Sequence, residues 1–453
     1  MTEESDVAVV GAGGGGAVLA LALAKQGVRT VVLDQATGPP KGLRGEILQP
    51  NGQRVLDRLG VLQSLPADAT RSVRLFHFCR AGGTRLCSID YGDLPPPYNR
   101  AIVTLPNVAH HAIVAAVQQH TSVTLRYGTS FSGLVREGNQ VVGVSTQGPD
   151  GAHTIRAKIV VGADGAFSKV REALKIPADL YLYPDGYLIA ILESDEQVSE
   201  SFYYVGHRTI LGIFPATGNK AYLFYMIRKD SMEAVKQRGI TALQQTWSEI
   251  APQFSRLFRC LNDWGQTAYM PTGRIRTPTW VADGAVLIGD AAHAMNPHAS
   301  QGRMQAMVDA MALADLLRES LAVLIDGHNL LLCVPRFREF FDGDRAGAAY
   351  AYLAELLRTS LAHPGPRREI RVVLDGPVAR AEHLSPGIQF LFSGGEGAGR
   401  ADRVIAEEQL PALLHAAGSA TLWVISADRA VVREAQDAGA KTLHPRLFDL
   451  LLG

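Results

Sequence analysis

The chain has 453 residues, 47% of them hydrophobic, with 44 lysines and arginines against 44 aspartates and glutamates. That length predicts two or three domains, and the balanced charge excludes a global attraction to nucleic acid or to an anionic membrane surface. Cys79, Cys87, Cys260 and Cys333 form neither a C-x-x-C pair nor a zinc spacing, which argues against a disulfide scaffold and for a reducing, cytoplasmic setting.

The apolar run over residues 7–24 is preceded by Glu3, Glu4 and Asp6 and broken by glycines, so it reads as part of a soluble fold rather than a leader or membrane span. Residues 6–10 read as a strand, 11–16 as a glycine turn, 17–26 as a helix and 30–34 as a second strand. Gly11, Gly13 and Gly16 have the G-x-G-x-x-G spacing: a tight turn, a close approach of a pyrophosphate to the backbone, and close packing of helix on strand. The helix N-terminus favours the anion, and Asp34 is placed to accept hydrogen bonds from an adenosine ribose. This unit by itself leaves NAD and FAD both open.

Arg44 and Gly45 lead into "EILQPNGQRVLDRLG", where Val55, Leu59 and Leu62 suggest a short helix. The order of glycine motif, Asp34, Arg-Gly and this segment resembles the class A flavoprotein monooxygenases, the para-hydroxybenzoate hydroxylase family. The resemblance implies FAD at the glycine turn and Arg44 beside the flavin; alone, Arg44 reads equally as a solvated loop charge. Residues 73–104 alternate as strands, and residues 105–118 read as a helix with Asn107 as N-cap or, by the resemblance, as a polar flavin contact.

In residues 157–171, "AKIVVGADGAFSKVR", a buried strand runs into a turn carrying Asp164. This resembles the family's DG motif, which implies that Asp164 helps hold the flavin and serves the encounter with a pyridine nucleotide. Residues 180–270 turn to short aromatic-rich strands with a helix near 240–250, predicting an antiparallel substrate domain. Of Phe202, Tyr203, Tyr204, Phe214, Tyr222, Phe224 and Tyr225, alternation puts about half toward a pocket and the rest in a core.

Residues 285–310, "AVLIGDAAHAMNPHASQGRMQAMVDA", read as a strand, a Gly289-Asp290 turn and a helix over 302–321. By resemblance Asp290 binds the ribityl chain, Pro297 lies near the isoalloxazine, and amides around Gly302 stabilise the reduced ring. His293 and His298 read as motif residues rather than metal ligands. Where the family has G-Q-G-x-N, this chain has Ser300-Gln301-Gly302-Arg303-Met304. The absence of a second G-x-G-x-x-G suits a family whose NADPH or NADH binds transiently. The implied activity is hydride transfer to FAD, then oxygen addition and hydroxylation of a small aromatic or similar ring by O2.

From residue 322 the sequence departs from that family, with strands and helices alternating to the end. Asp326, Asp375, Asp402 and Asp428 fall at strand ends or a helix start and could converge at one sheet edge around a divalent metal. The order "IDGHN", "VLDG", "ADRVI" and "SADR" resembles the NYN or PIN-like ribonucleases. That implies Mg2+ or Mn2+ on Asp326, Asp402 and Asp428, Asp375 as a further candidate, and RNA as partner. Arg403 stands where that family often has a second acid.

The expected architecture is therefore α/β: a Rossmann-like FAD domain (residues 1–72, 101–179 and 271–321), an interleaved antiparallel substrate domain (73–100 and 180–270) and a PIN-like domain (322–453). Two other readings stay open: a metal-dependent ribonuclease, and a flavin module that binds FAD without turnover.

Overall fold

Val7 to Val10 end the strand Thr2–Val10 and pair in parallel with two neighbours at once, residues 159–162 on one side and 30–33 on the other. A strand buried on both faces reads as an unbroken apolar run, as this one does. In the computed structural model, which describes residues 2–40, 46–105, 107–297, 300–317, 321–337, 346–361, 368–385, 388–394, 399–417, 421–446 and 448, the neighbouring strands follow the order Ala285–Leu287, Gly151–Gly162, Thr2–Val10, Thr30–Leu33, Val123–Arg126. All of these pairings are parallel, and the antiparallel strands Ser130–Glu137 and Gln140–Gly148 extend the sheet from Gly151–Gly162.

Contacts divide the chain into two units, Met1–Pro278 with Gly284–Met311, and Thr279–Asp283 with Ala312–Gly453. In the first, Gly11 turns the chain at φ 105°, and its N–H donates to the Leu33 carbonyl at 2.7 Å. Only glycine adopts that conformation without strain. The helix Gly14–Lys25 follows; residues 15–24 are all buried, so "AVLALALA" forms a helix enclosed on every side rather than an amphipathic one.

A second sheet of seven strands supplies the other half of this unit, in the order Thr267–Arg276, Asp179–Glu193, Lys220–Arg228, Thr209–Pro215, Ser201–Gly206, Leu75–Arg80, Arg85–Asp90. Every pairing in it is antiparallel except Ser201–Gly206 with Leu75–Arg80. One face packs on Met232–Arg238, Ile240–Ile250 and Ser255–Phe258, with Trp247 and Phe258 fully buried and their rings 5.6 Å apart. Burying each such ring is worth roughly 1.5–3 kcal/mol. The expected alternation separates the aromatics. Phe202, Tyr204 and Tyr225 join the helix-covered core, while Tyr203, Phe214, Tyr222 and Phe224 point to the opposite face with Ile47, Val103 and Tyr91.

The second unit holds a sheet in the order Arg380–Ser385, Ile388–Phe392, Arg368–Leu374, Leu321–Asp326, Thr421–Ile425, Lys441–Leu443, parallel except for the edge strand Arg380–Ser385. Several boundaries differ from the sequence reading. The helix expected over 302–321 is Gly302–Leu316, because Leu321 already belongs to a strand. "DGHN" begins the helix Gly327–Cys333, since the Asp326 carboxylate caps it by accepting the Asn329 N–H at 3.0 Å. The helical stretch Arg400–Ala417 contains a π-helical turn, Val404–Gln409.

A Cβ on Gly16 would overlap the Gly11 carbonyl oxygen, whereas one on Gly13 would meet no atom within 4 Å. Gly16→Ala is therefore predicted to cost about 1–3 kcal/mol, read as a lower urea midpoint, and Gly13→Ala to cost less. Equal losses at the two positions would contradict this packing.

Candidate functional site

Two helices begin at the same place in the first unit. The side chain of Arg303 lies over Gly14 and Ala306 lies over Gly15, so the N-termini of Gly14–Lys25 and Gly302–Leu316 are neighbours. Both Gly13 and Gly302 face open space where a side chain would stand. The Gly14 helix has no side-chain cap and no acidic residue in its first turn. Unpaired amides and two dipole ends therefore meet in one hollow, an arrangement that favours an anion.

Most of the expected residues have definite local partners. Asp34 accepts the Ala12 N–H at 2.8 Å through one carboxylate oxygen and the Ala36 N–H at 2.8 Å through the other, which fixes the end of its strand against the glycine turn. Asp164 accepts from the Ser168 hydroxyl at 2.5 Å and the Val170 N–H at 3.1 Å, so it also closes the helix Lys169–Ala173. Arg171 ties this turn to the next motif by donating to the carbonyls of Ala291 and Ala166 at 2.8 and 2.9 Å. Asp290 is exposed on the short turn Gly289–Ala291, and the Pro297 carbonyl accepts the Ser300 N–H at 2.9 Å. Asn107 occupies the N-cap position of Val108–Val117 but has φ 63° and makes no side-chain cap bond. Arg44 and His298 lie outside the described residues.

Residues 300–304 have matched partners in the segment 46–52. Ser300 sits at φ 53°, a conformation that favours glycine. Met304 is buried with its sulfur where a Cβ on Gly52 would be, and the Gln301 side-chain oxygen accepts from Asn51 Nδ2 at 3.0 Å. Arg303 pairs with Glu46. Its Nε and Nη2 are buried and have no partner among the described residues, and the same holds for Glu46 Oε2. Burial pushes the guanidinium down to about 10, so it remains a cation at neutral pH. Orphaned donors beside open glycines fit a phosphate-bearing cofactor such as FAD.

Sequence reasoning missed Glu46, Arg303, Asn51 and Asp309. An arginine entering a helix opposite a run of four glycines was the available signal for Arg303. On the sheet face opposite the helices, the Tyr203 hydroxyl hydrogen-bonds Ser300, and burial pushes it well above the usual phenol range. Tyr91 donates to Gln49 Oε1 at 2.5 Å, and Tyr222 Oη is buried without a partner among the described residues. These rings belong to one buried aromatic cluster with polar tips. A separate cavity of about 290 Å³, lined by Asp185, Tyr225, Arg228 and Leu243 among others, contains none of the motif residues.

In the second unit the four acids surround the carboxyl ends of adjacent parallel strands. Asp326 is buried and accepts from Ser426 Oγ at 2.6 Å and Asn329 Nδ2 at 2.5 Å; Asp375 accepts the Ala401 N–H at 3.0 Å; Asp428 accepts the N–H groups of Ala430 and Val431 at 2.7 and 3.1 Å. Burial, with the charges of Asp326, Asp428 and Asp375, holds Asp402 above the usual carboxylate range. The expected metal set is not assembled. Among the described residues no three His, Cys, Asp or Glu side chains stand where they could hold an ion together, and Asp326, Asp375 and Asp428 each accept a backbone N–H.

His293 in the first unit is a structural partner rather than a ligand. Asp309 binds its Nε2 at 2.7 Å and the Gly289 N–H at 2.8 Å. Burial opposes the imidazolium, but the hydrogen bond and charge of Asp309, with Asp290 adding to them, outweigh it and raise the His293 pKa above 6.5. The stability from this pair is therefore fully present below the unfolded imidazole pKa and is lost as pH rises through the higher folded value. Denaturation at about pH 6 and about pH 9 should show that loss in the native chain and a smaller one in Asp309→Asn. An unchanged pH dependence would contradict the pair.

Residues 4–327 match the family model described as FAD binding domain. The 6-methylpretetramide 4-monooxygenase of Streptomyces rimosus is 31% identical over 322 residues, covering 70% of this chain and 76% of the relative. The 6-hydroxynicotinate 3-monooxygenase of Pseudomonas fluorescens is 27% identical, covering 70% and 84%. Among solved structures, P. aeruginosa PqsL in complex with 2-aminobenzoylacetate shares the fold with a TM-score of 0.63 at 24% identity, covering 69% of this chain and 86% of that one. No helix among the described residues is long and apolar enough to cross a membrane. The shared motifs, the two-helix hollow and these matches together show that the chain belongs to the FAD-binding domain family of flavin-dependent monooxygenases and is an oxidoreductase.

Proposed function

We propose that this protein hydroxylates a small aromatic or similarly activated ring, using O2 and NADPH or NADH. The observation that carries this reading is the aromatic wall of Tyr203, Phe214, Tyr222 and Phe224 on the sheet face whose Tyr203 hydrogen-bonds Ser300, immediately before the Gly302 helix. Relatives named for 6-methylpretetramide, 6-hydroxynicotinate and kynurenine support a ring substrate.

In this reading residues 1–72, 101–179 and 271–321 hold the cofactor and residues 73–100 and 180–270 hold the substrate. Gly11, Gly13 and Gly16 admit the diphosphate, Asp34 takes the adenosine ribose, Asp290 the ribityl chain, and Arg44, Asp164, Pro297 and Gly302 flank the flavin. Bound FAD supplies hydride acceptance and oxygen activation. The wall excludes water and orients the ring by its faces, and the buried Tyr222 hydroxyl offers it a directional hydrogen bond.

The test is NADPH oxidation by the purified flavoprotein against a panel of aromatic acids and quinolones. A ring that accelerates oxidation and emerges hydroxylated is the predicted result. Tyr222→Phe should then raise KM about 3–10-fold, the loss of one ordinary hydrogen bond. A flavin-loaded protein that oxidises NADPH equally with and without every ring would instead support FAD binding without turnover.

One observation favours a second activity in residues 322–453, that of a PIN-like ribonuclease. Asp402 is coupled to Asp326, Asp375 and Asp428 at the carboxyl ends of strands, on either side of the point where strand order reverses around Leu321–Asp326. That crevice is where open parallel sheets bind ligands. With no assembled three-ligand site, no metal-dependent step is assigned to it. RNA cleavage that disappears in the Asp326→Asn, Asp428→Asn double variant is the expected result; equal cleavage by both proteins would refute the activity.

A further inference from the structure

Arg303 is unusual in three respects that point the same way. Its aliphatic stem crosses Gly14, where an added Cβ would lie 2.8 Å from Cγ and 3.2 Å from Nε, so the first residue of the Gly14 helix must be glycine for the arginine to lie there. Glu46 holds one end of the guanidinium, at Nη1. Nε and Nη2 remain buried with no acceptor among the described residues. A guanidinium anchored at one end, with two buried donors unpaired at the other, is incomplete by itself although the side chain is 22% exposed, since buried donors are nearly always paired.

The position of the vacancy specifies its ligand. Arg303 Nε lies against Gly14 at the start of Gly14–Lys25, one residue along the chain from the open Gly13, on a helix with no acidic residue in the first turn. A guanidinium presents two roughly parallel N–H groups that match two oxygens of a phosphate, with more geometric demand than a lysine. We propose that Arg303 is a ligand of the cofactor's diphosphate, presented by Glu46 and admitted by Gly14, a proposal that rests on the FAD reading of the first unit. The pair of charges then has a role beyond packing. Glu46 orients the fork and keeps it from turning to solvent, and the diphosphate supplies the missing acceptors. The segment 46–52 and the turn 300–304 thereby act as one unit in cofactor capture.

The test is calorimetric titration of the full chain, freed of flavin, with FAD, ADP and riboflavin. In Arg303→Met, FAD and ADP affinity should fall about 10–100-fold, while riboflavin, which lacks the diphosphate, changes less than about twofold. Arg303→Lys should fall between the two, because it keeps the charge and loses the fork. If Arg303→Met does not fold, the lysine variant carries the same comparison. Unchanged ADP and FAD affinity in a variant, or a riboflavin loss as large as the ADP loss, would overturn the proposal while leaving the FAD reading intact. An unmodified chain that binds neither FAD nor ADP would overturn both.

Discussion

The first unit depends on one backbone contact: Gly16 packs directly against the carbonyl of Gly11, at the point where a strand turns into a helix. Neither position tolerates a side chain. Gly11 is also pressed against Ala163 at the end of the adjacent parallel strand, so the first turn and the turn carrying Asp164 are seated together. This close approach lets the Gly14 helix start immediately above the sheet with its amides directed outward. The third motif joins the same centre when Ala306 packs over Gly15. Three segments separated by more than a hundred residues each are thus held around a single hollow by contacts that only small residues permit.

What surrounds the hollow is a set of complementary contacts. Glycine at 14 accommodates Arg303, glycine at 52 accommodates the sulfur of Met304, and Asn51 bonds Gln301. Opposite the turn at residues 300–304, the segment 46–52 supplies complementary shape and charge.

Much of this organisation was legible in the sequence because its signals are local. G-x-G-x-x-G, a strand of four apolar residues and an acid at the next strand's end constrain the backbone within about thirty residues. The division of the seven aromatics was legible for the same reason, since the period of two assigns faces without reference to the fold. Pairing across long separations was not legible. Nothing local marks Glu46 as the partner of Arg303, or Asp309 as the residue that joins His293 to the Gly289 turn. The acids of the second unit are ambiguous for a different reason. Their order suggested a metal centre, and they do cluster electrostatically, but Asp326, Asp375 and Asp428 each spend oxygens on backbone N–H groups at helix starts. A carboxylate before a helix carries the same sequence signature whether it caps or ligates.

The account as a whole rests on the convergence of two helix N-termini at open glycines being a flavin site. The most direct test is the visible absorption spectrum of the purified chain, followed by titration of the flavin-free protein with FAD. The account predicts a two-banded flavin spectrum and saturation at about one FAD per chain. A colourless protein that takes up no added FAD would contradict it.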